Sequence, residues 1–243
     1  MLISVILPVY NEFRTLPQVL DRVLAAPLPE GCTREIIIVD DGSTDGTTNL
    51  LKDYARDGLT VCHHSVLNFG KGTAIRIGLK ISQGDIAIIQ DGDLEYDPND
   101  YLGILTPIVE GRADVVYGSR FLGNLSGMAW KNWVANKILT AAANLLYGAQ
   151  ITDEATAYKA FRLSIVRRLS LRCRRFEFCP ELTAKLCRAG YVIDEVPISY
   201  NARGVADGKK IRARDGFEAL WTLLRYRFAK KTGETTCPAL SNR

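Results

Sequence analysis

The chain has 243 residues, 47% of them hydrophobic, which is enough for one core of ordinary density and too little for two full domains. Its net charge of +4 is unevenly spread: residues 1–161 carry 13 Lys and Arg against 19 Asp and Glu, and residues 162–231 carry 17 against 7. Six cysteines form no CxxC pair and no short-spaced Cys/His cluster, which argues against a zinc module.

The amino-terminal segment reaches Asn11 and Glu12 after too few apolar residues for a signal peptide. The nearest candidate for a membrane span, residues 133–149, is interrupted by Lys137 and two asparagines. We therefore expect a cytoplasmic protein, with a peripheral position at the cytoplasmic face of a membrane as the alternative. The basic second part favours an anionic partner, but charge does not choose among nucleic acid, lipid and a phosphorylated substrate.

Alternating element patterns along the chain predict an α/β fold with a mostly parallel central sheet flanked by helices. Short apolar runs that end in polar or glycine residues predict buried strands. They cover residues 3–10, 35–41, 86–93, 115–121 and 194–200. Helix-like patterns cover residues 15–26, 44–56, 136–147 and 215–231.

Two carboxylates, Asp91 and Asp93, follow the apolar run at residues 86–89. Residues two apart on a strand point the same way, so both side chains can reach one divalent cation. Oxygen ligands suit Mg²⁺ or Mn²⁺, which complete their coordination with water and substrate phosphates. Glu95 extends the spacing, so we predict a metal site formed by Asp91, Asp93 and Glu95, with a plain surface turn as the alternative.

A second acidic strand end contains Asp41 followed by Gly42 and Ser43. Carboxylates repel phosphates but accept hydrogen bonds from a ribose or a base, so a nucleoside fits here, and Ser43 can also cap the following helix. Lys71 lies in a glycine-framed loop that opens a helix, a favourable place for an anion. A loop lysine over a tight turn is the other interpretation.

Five motifs occur in the order and spacing of the family 2 glycosyltransferases: VILPVYNE, IIIVDDGSTDGT, NFGKGTAI, IIQDGDLEYDP and VVYGSRF. Over roughly residues 3–228 the chain resembles the catalytic domain of the dolichyl-phosphate (polyprenyl-phosphate) mannose or glucose synthases. The resemblance implies a Rossmann-like GT-A fold and a metal-dependent, inverting hexosyltransferase. It implies a single catalytic domain over residues 1–231, with a nucleotide-sugar half (1–121), a basic acceptor half (122–231) and a flexible tail (232–243).

The resemblance also implies roles at matching positions. The nucleotide-sugar pocket, with Lys71 added from its loop, would contain Pro8, Tyr10, Glu12, Val39, Asp41, Lys71, Asp91, Gly92, Asp93 and Lys210. The catalytic residues would be Asp91, Asp93, Arg120, Asp153 and Arg203. Arg120, Arg203 and Lys210 would contact donor diphosphate or acceptor phosphate. Lys131 and Lys137 lie beside Trp130 and Trp133 and would meet a lipid phosphate, unless this helix is simply packed.

The sequence around Asp153 leaves the chemical class of the acceptor undecided. Relatives that act on polyprenyl phosphate often read Asp-x-x-Ser/Thr-Gly-Phe-Arg, whereas this chain has Ala157 and Tyr158 in place of Gly-Phe. A lipid phosphate oxygen is already anionic and needs only positioning. A hydroxyl of a membrane lipid or glycan needs a base, which would be Asp153 or Glu154.

The donor stays open among GDP-mannose, UDP-glucose and UDP-N-acetylglucosamine. A nucleotidyltransferase is a rival enzyme, but the glycine- and arginine-rich loop expected near its first strand is missing from VILPVYNEF. A rival of another class is a non-catalytic nucleotide-sugar or lipid-binding subunit of a membrane complex. We expect a membrane surface or a membrane-anchored protein as partner and no nucleic acid, and a homo-oligomer stays open.

The last predicted helix carries one apolar stripe and several cations near its end. It can be an amphipathic helix on the core, or a helix attached to an anionic membrane surface. The stripe consists of Phe217, Leu220, Trp221, Leu224 and Phe228.

Overall fold

The computed structural model of the chain describes residues 1–54, 60–203 and 213–229. Lys210, assigned above to the donor diphosphate, and the tail expected over residues 232–243 lie outside these ranges.

Strands and helices alternate as predicted through the first half of the chain. The strands are β1 (Leu2–Val9), β2 (Thr33–Asp40), β3 (Thr60–His64), β4 (Ile86–Ile89), β5 (Val115–Ser119), β6 (Leu125–Ser126), β7 (Lys159–Arg162), β8 (Asp194–Pro197) and β9 (Tyr200–Asn201). The helices are α1 (Leu16–Ala25), α2 (Thr47–Tyr54), α3 (Lys71–Ile81), α4 (Tyr101–Val109), α5 (Trp130–Tyr147), α6 (Leu163–Arg168), α7 (Phe178–Arg188) and α8 (Ala213–Phe228).

Seven of the strands form one sheet in the order β3-β2-β1-β4-β7-β5-β8. Only β7 runs antiparallel to its neighbours β4 and β5, and the other pairs in this sheet are parallel. The predicted α/β fold with a mostly parallel sheet is therefore confirmed. Strands from residues 1–121 and from residues 122–231 share this sheet, because β7 lies between β4 and β5.

Helices cover both faces of the sheet, which explains why its central strands read as continuous apolar runs. Seven of the eight residues of β1 are buried. Helix α1 buries Leu16, Val19, Leu20 and Val23, which recur at the three- and four-residue spacing of one helix face. Helix α3 contacts β1 and β2, and Gly78 lets it approach, since a Cβ there would lie 2.5 Å from Ile6.

Two predicted strands end or divide differently. The strand expected over residues 86–93 stops at Ile89, so Asp91 and Asp93 lie in the following bend and do not share a strand face. The strand expected over residues 194–200 divides into β8 and β9, and β9 pairs with β6 in a separate two-stranded sheet. Helix α5 begins at Trp130, six residues before its predicted start.

The apolar stripe predicted for α8 packs on the core only in part, because Leu220 alone of its five residues contacts the core cluster among the described residues. Ala219 and Leu223 face the core, whereas Phe217, Trp221 and Phe228 are exposed. Within the described part of the chain, none of the helices combines the length and the apolar character needed to cross a bilayer.

Candidate active site

An acidic cluster surrounds Arg203 where the chain leaves β1, β4 and β9. Arg203 Nη2 lies 2.5 Å from Asp93 Oδ2, its Nη1 lies 3.5 Å from Glu12 Oε2, and its Nε lies 3.8 Å from Glu95 Oε1. Parallel strands β1 and β4 are neighbours, so the loops at their carboxyl ends meet at one edge of the sheet. The structure thus brings together four predicted site residues that lie as far apart as positions 12 and 203.

Thr15 connects the start of α1 to the bend that carries the aspartates. Its hydroxyl lies 2.9 Å from the carbonyl oxygen of Gly92 and 2.8 Å from Glu12 Oε2. Gly92, predicted to line the nucleotide-sugar pocket, therefore lies directly against the segment that bears Glu12. Tyr10, in the same predicted pocket, is half-buried just after β1.

Glu95, predicted to ligate a metal beside Asp91 and Asp93, has hydrogen bonds to both of its carboxylate oxygens. Its Oε2 accepts a hydrogen bond from the Tyr200 hydroxyl at 2.8 Å, and its Oε1 accepts one from the Arg203 backbone N–H at 2.8 Å. Both oxygens therefore serve to fasten β9 and Arg203 to the acidic bend. Tyr200 was missed by sequence reasoning, and its only signal was its place at the end of the strand predicted over residues 194–200.

Asp93 is the most perturbed carboxylate of the cluster. Burial, together with the charges of Asp91 and Glu95, raises its pKa to about 7, although Arg203 acts in the opposite direction. Several carboxylates in a site that is largely closed to water repel one another, and nearby positive charge stabilises them. Arg203 supplies part of this positive charge, and its buried Nε has no hydrogen-bond partner among the residues that the structure describes.

Lys71 is the first residue of α3 and pairs with Asp91, with Nζ 2.5 Å from Oδ1. Burial is the largest single influence on the pKa of Lys71 and lowers it, but the charge and hydrogen bond of Asp91, together with the neighbouring Cys179 and Asp93, raise the pKa overall. Lys71 is thus a cation at a helix N-terminus, next to the acidic bend. This is the placement expected for a residue that contacts a diphosphate.

Asp41 fastens the loop that leads into α3. It accepts hydrogen bonds from the backbone N–H groups of Phe69, at 2.9 Å, and Gly70, at 2.6 Å, and it is buried. Burial raises the pKa of Asp41, and the two backbone N–H groups partly offset that effect. Both carboxylate oxygens of Asp41 are therefore hydrogen-bonded to this loop, and its contact with a base stays a prediction.

Pro8 and Val39 are buried in the paired strands β1 and β2. The side chain of Val39 packs with Ile37 and Ala74 under α3. The structure therefore places Val39 within the core, and its position beside a base stays a prediction.

Arg120 and Asp153 form a buried ion pair at the end of β5. Arg120 Nε and Nη2 donate to the two Asp153 oxygens at 2.7 Å each, and the Arg120 backbone N–H donates to Oδ2 at 3.0 Å. The Arg120 guanidinium also lies 5.0 Å from the centre of the Tyr200 ring. Asp153 is fully buried, so the predicted base and the predicted phosphate-binding arginine neutralise each other.

Glu154, the other predicted base, is also fully buried. Its Oε1 accepts a hydrogen bond from Thr183 at 3.2 Å, and burial raises its pKa. Lys131 and Lys137 lie on α5, and Lys131 Nζ lies 5.8 Å from the centre of the Trp130 ring. Lys137 Nζ lies 3.7 Å from the centre of the Phe121 ring.

The donor set of the acidic bend fits a divalent cation held by two carboxylates. Among the described residues, no group of three or more Asp, Glu, His or Cys side chains is arranged around a common metal position. Asp91 and Asp93 supply the hard oxygen ligands that Mg²⁺ and Mn²⁺ prefer, and these ions commonly take the rest of their shell from substrate phosphates and water. The raised pKa of Asp93 is the feature that a nearby cation would relieve.

Comparison with known proteins places these features in a family. The sequence model described as Glycosyl transferase family 2 matches residues 4–170. The chain is 36% identical over 192 residues to the undecaprenyl-phosphate 4-deoxy-4-formamido-L-arabinose transferase of Pseudomonas aeruginosa strain LESB58, and the match covers 77% of this chain and 55% of that protein. The protein of the same name from Pseudomonas syringae pv. syringae strain B728a is 33% identical over 210 residues, covering 85% and 60%. The chain thus spans little more than half the length of these relatives.

Solved structures show the same fold at lower identity. The glucosyl-3-phosphoglycerate synthase of Mycobacterium tuberculosis in complex with UDP has a TM-score of 0.70 at 22% identity, over 93% of this chain and 79% of that one. The same synthase with Mn²⁺, UDP and glucosyl-3-phosphoglycerate has a TM-score of 0.69 at 21% identity, over 92% and 79%.

Proposed function

The chain belongs to glycosyl transferase family 2, and from that membership and its acidic bend we propose that it transfers a hexose from a nucleotide sugar to a polyprenyl phosphate with inversion. The relatives named for transfer to undecaprenyl phosphate support the acceptor class, since they match 77–85% of this chain. GDP-mannose, UDP-glucose and UDP-N-acetylglucosamine remain the candidate donors.

Asp91 and Asp93 would hold the Mg²⁺ or Mn²⁺ ion. A divalent cation, when bound, neutralises the charge that builds up on a diphosphate leaving group. Lys71 and Arg203 add positive charge around the same carboxylates. The interaction of these cations with the leaving group strengthens as its negative charge grows. They therefore stabilise the transition state more than the bound substrate.

Arg203 has to exchange partners when donor and metal bind. Here it neutralises Asp93, and a cation on Asp93 would take over that task. The guanidinium would then be available to the diphosphate or to the acceptor phosphate, as its planar donors favour. Lys71 likewise pairs with Asp91 here, and a cation on Asp91 would make Lys71 available to the diphosphate.

The burial of Asp153 is the observation that favours a phosphate acceptor over a hydroxyl. A hydroxyl nucleophile needs a base within hydrogen-bond reach, yet both Asp153 oxygens accept hydrogen bonds from Arg120. A phosphate oxygen needs orientation and desolvation but no deprotonation. We therefore propose that Asp153 positions Arg120, and through Arg120 the ring of Tyr200, at the edge of the site.

A screen of three donors tests this function. Each nucleotide sugar is supplied with Mn²⁺ or Mg²⁺ to a short-chain polyprenyl phosphate or to a membrane-lipid extract, and Asp93→Asn is compared with the surface variant Asp114→Asn. An acid-labile product on the polyprenyl phosphate, lost only in Asp93→Asn, is the expected result. Product formed only with the lipid extract would indicate a hydroxyl acceptor in place of the polyprenyl phosphate. No turnover with any donor would favour a non-catalytic binding subunit.

A further inference from the structure

Helix α5 carries an apolar stripe on the side that faces away from the protein. Trp130, Val134, Ile138 and Leu145 follow one another at helical spacing, with Trp130 71% and Leu145 87% exposed. The opposite side of the helix buries Leu139, Thr140 and Ala143. Since the inner side supplies the packing, the outer stripe is not needed to hold α5 in place.

Helix α8 repeats the arrangement. Phe217, Trp221, Leu224 and Phe228 recur at intervals of three and four residues, and Phe217 is 75% and Phe228 81% exposed. Ala219, Thr222 and Leu223 form the buried side. A run of exposed aromatics of this length exceeds what isolated surface residues explain.

The two stripes lie on neighbouring helices. Helices α5 and α8 pack against each other, and the Tyr147 hydroxyl donates to the Leu223 carbonyl oxygen at 2.5 Å. Leu139 and Ala143 of α5 join the same apolar cluster as Ala219 and Leu223 of α8. Both stripes therefore point away from a shared core. We call them together the α5/α8 face, defined by Trp130, Val134, Ile138, Leu145, Phe217, Trp221, Leu224 and Phe228.

Exposed lysine and arginine side chains lie on the same two helices as the α5/α8 face. Lys131 on α5 and Arg214, Arg225 and Arg227 on α8 are exposed. Glu218 is the exposed acid of the two helices within the described residues. Tryptophan and phenylalanine beside lysine and arginine suit the boundary between lipid headgroups and acyl chains, where rings enter the apolar layer and cations meet anionic headgroups.

The amino-terminal turns of α5, which carry part of this face, also lie near the candidate active site. Trp133, one turn into α5, meets the Phe121 ring edge-on at a centroid distance of 6.3 Å. Phe121 follows Arg120, and Lys137 lies over the same ring. A surface in contact with the amino-terminal turns of α5 would therefore lie beside the loop that carries the Arg120–Asp153 pair.

We propose that the α5/α8 face is a docking surface for an anionic membrane, which it enters with its aromatic stripes. The docking itself follows from exposed apolar area and charge. The consequence that docking brings the site to its acceptor rests on the proposed function, because that acceptor is a lipid.

Vesicle co-sedimentation tests the docking without donor or acceptor. The full chain is mixed with vesicles of phosphatidylcholine, with or without phosphatidylglycerol. We expect binding that is stronger to the mixed vesicles and weaker by about tenfold in each of the double variants Trp130→Ser/Leu145→Ser and Phe217→Ser/Trp221→Ser, since each removes two large apolar side chains from the face. Arg225→Glu/Arg227→Glu should lose the preference for phosphatidylglycerol.

A matched control is available elsewhere on the surface. Leu102 on α4 and Val192 before β8 are 43% and 77% exposed, so Leu102→Ser/Val192→Ser removes apolar surface outside the face. This control should bind vesicles like the parent chain. Equal binding by face variants and control, or no vesicle binding by the parent chain, overturns the proposal. A dimer of the parent chain that the face variants dissociate in sedimentation velocity would also overturn it, by making the face a contact between two copies.

Failure of the docking and failure of the proposed function give different results. With a short, soluble polyprenyl phosphate, the face variants should turn over like the parent chain, and they should lose turnover only when the acceptor is embedded in vesicles. A parent chain that binds vesicles but transfers no sugar would contradict the function and leave the docking intact. Loss of turnover by the face variants with the soluble acceptor would contradict the docking role.

Discussion

Asp153 holds the guanidinium of Arg120 through two hydrogen bonds of 2.7 Å and accepts a third from the Arg120 backbone N–H, in a region closed to water. Such a pair contributes little when formed, because desolvation offsets attraction, but losing one partner leaves a bare buried charge. The pair therefore fixes the end of β5 relative to the segment before β7.

Asp153→Asn should destabilise the protein by about 3–5 kcal/mol, because it leaves the Arg120 charge without a counterion. Urea unfolding measures the change. Asp114→Asn is the control, since Asp114 and Arg162 form a half-exposed pair at 3.0 Å whose loss should cost about 1 kcal/mol or less. If Asp153→Asn unfolds like the parent chain but loses turnover, Asp153 is acting as a base and not as a positioning residue.

Gly70→Ala should be costly at the entrance to α3. Gly70 has φ of +101°, and a Cβ there would lie 2.4 Å from the Arg174 carbonyl oxygen. Strain and overlap together should cost about 3 kcal/mol and displace Lys71, so the KM for the donor should rise. Gly111→Ala, also at positive φ but with no atom of the described residues within 4 Å of its added Cβ, should cost about 1 kcal/mol and leave the KM unchanged. Similar costs for both would show that the contact with Arg174 is unimportant.

The parallel sheet made much of the site predictable. Glu12, Asp91 and Asp93 follow the ends of two apolar runs, and parallel topology brings such ends to one edge. Asp41 and Asp153 were harder to place, because a sequence shows a charge but not the hydrogen bonds that occupy it. In Asp41 these come from the backbone of Phe69 and Gly70, which carries no sequence signal.

The sequence pattern did not predict strand β7 or the orientation of helix α8. Strand β7 has only four residues and contains Lys159, whose buried Nζ donates to the Glu154 carbonyl oxygen and lies over the Tyr117 ring. A charged residue in so short a segment interrupts the apolar pattern by which a buried strand is predicted. The spacing of the apolar residues in α8 does not reveal which side of the helix meets the core: Leu220 packs against it, whereas Phe217 and Trp221 are exposed.

Asp93→Asn should stabilise the metal-free protein at high pH. The folded pKa of Asp93, about 7, lies above that of an unfolded aspartate, so the folded state binds the proton more tightly. Stability is therefore lost as the pH rises from about 4 to about 7 and stays lowered above that. With EDTA at pH 8, Asp93→Asn should be roughly 2–4 kcal/mol more stable than the parent chain, and the gap should shrink towards pH 5. A gap independent of pH would contradict this origin.

Arg203→Gln should tighten binding of Mn²⁺ in the absence of donor. Arg203 neutralises Asp93 and lies near Glu12 and Glu95, so guanidinium and metal compete for the same negative charge. Removing a competitor should lower the Kd for Mn²⁺ by about tenfold, as linkage between two mutually exclusive cations requires. Calorimetric titration measures it, with the exposed Arg112→Gln as control. Weaker Mn²⁺ binding in Arg203→Gln would mean that Arg203 organises the carboxylates instead of competing.

The position of β7 also governs when this protein can fold during its synthesis. Once Ser119 has left the ribosome, β1 to β4 can already pair, but β5 has to wait, because its described partners are β7 and β8. A nascent chain therefore holds an unpaired strand of buried residues until Arg162 emerges. Unpaired strands of this kind can pair with neighbouring chains, so aggregation competes with folding while the segment between β5 and β7 is being synthesised.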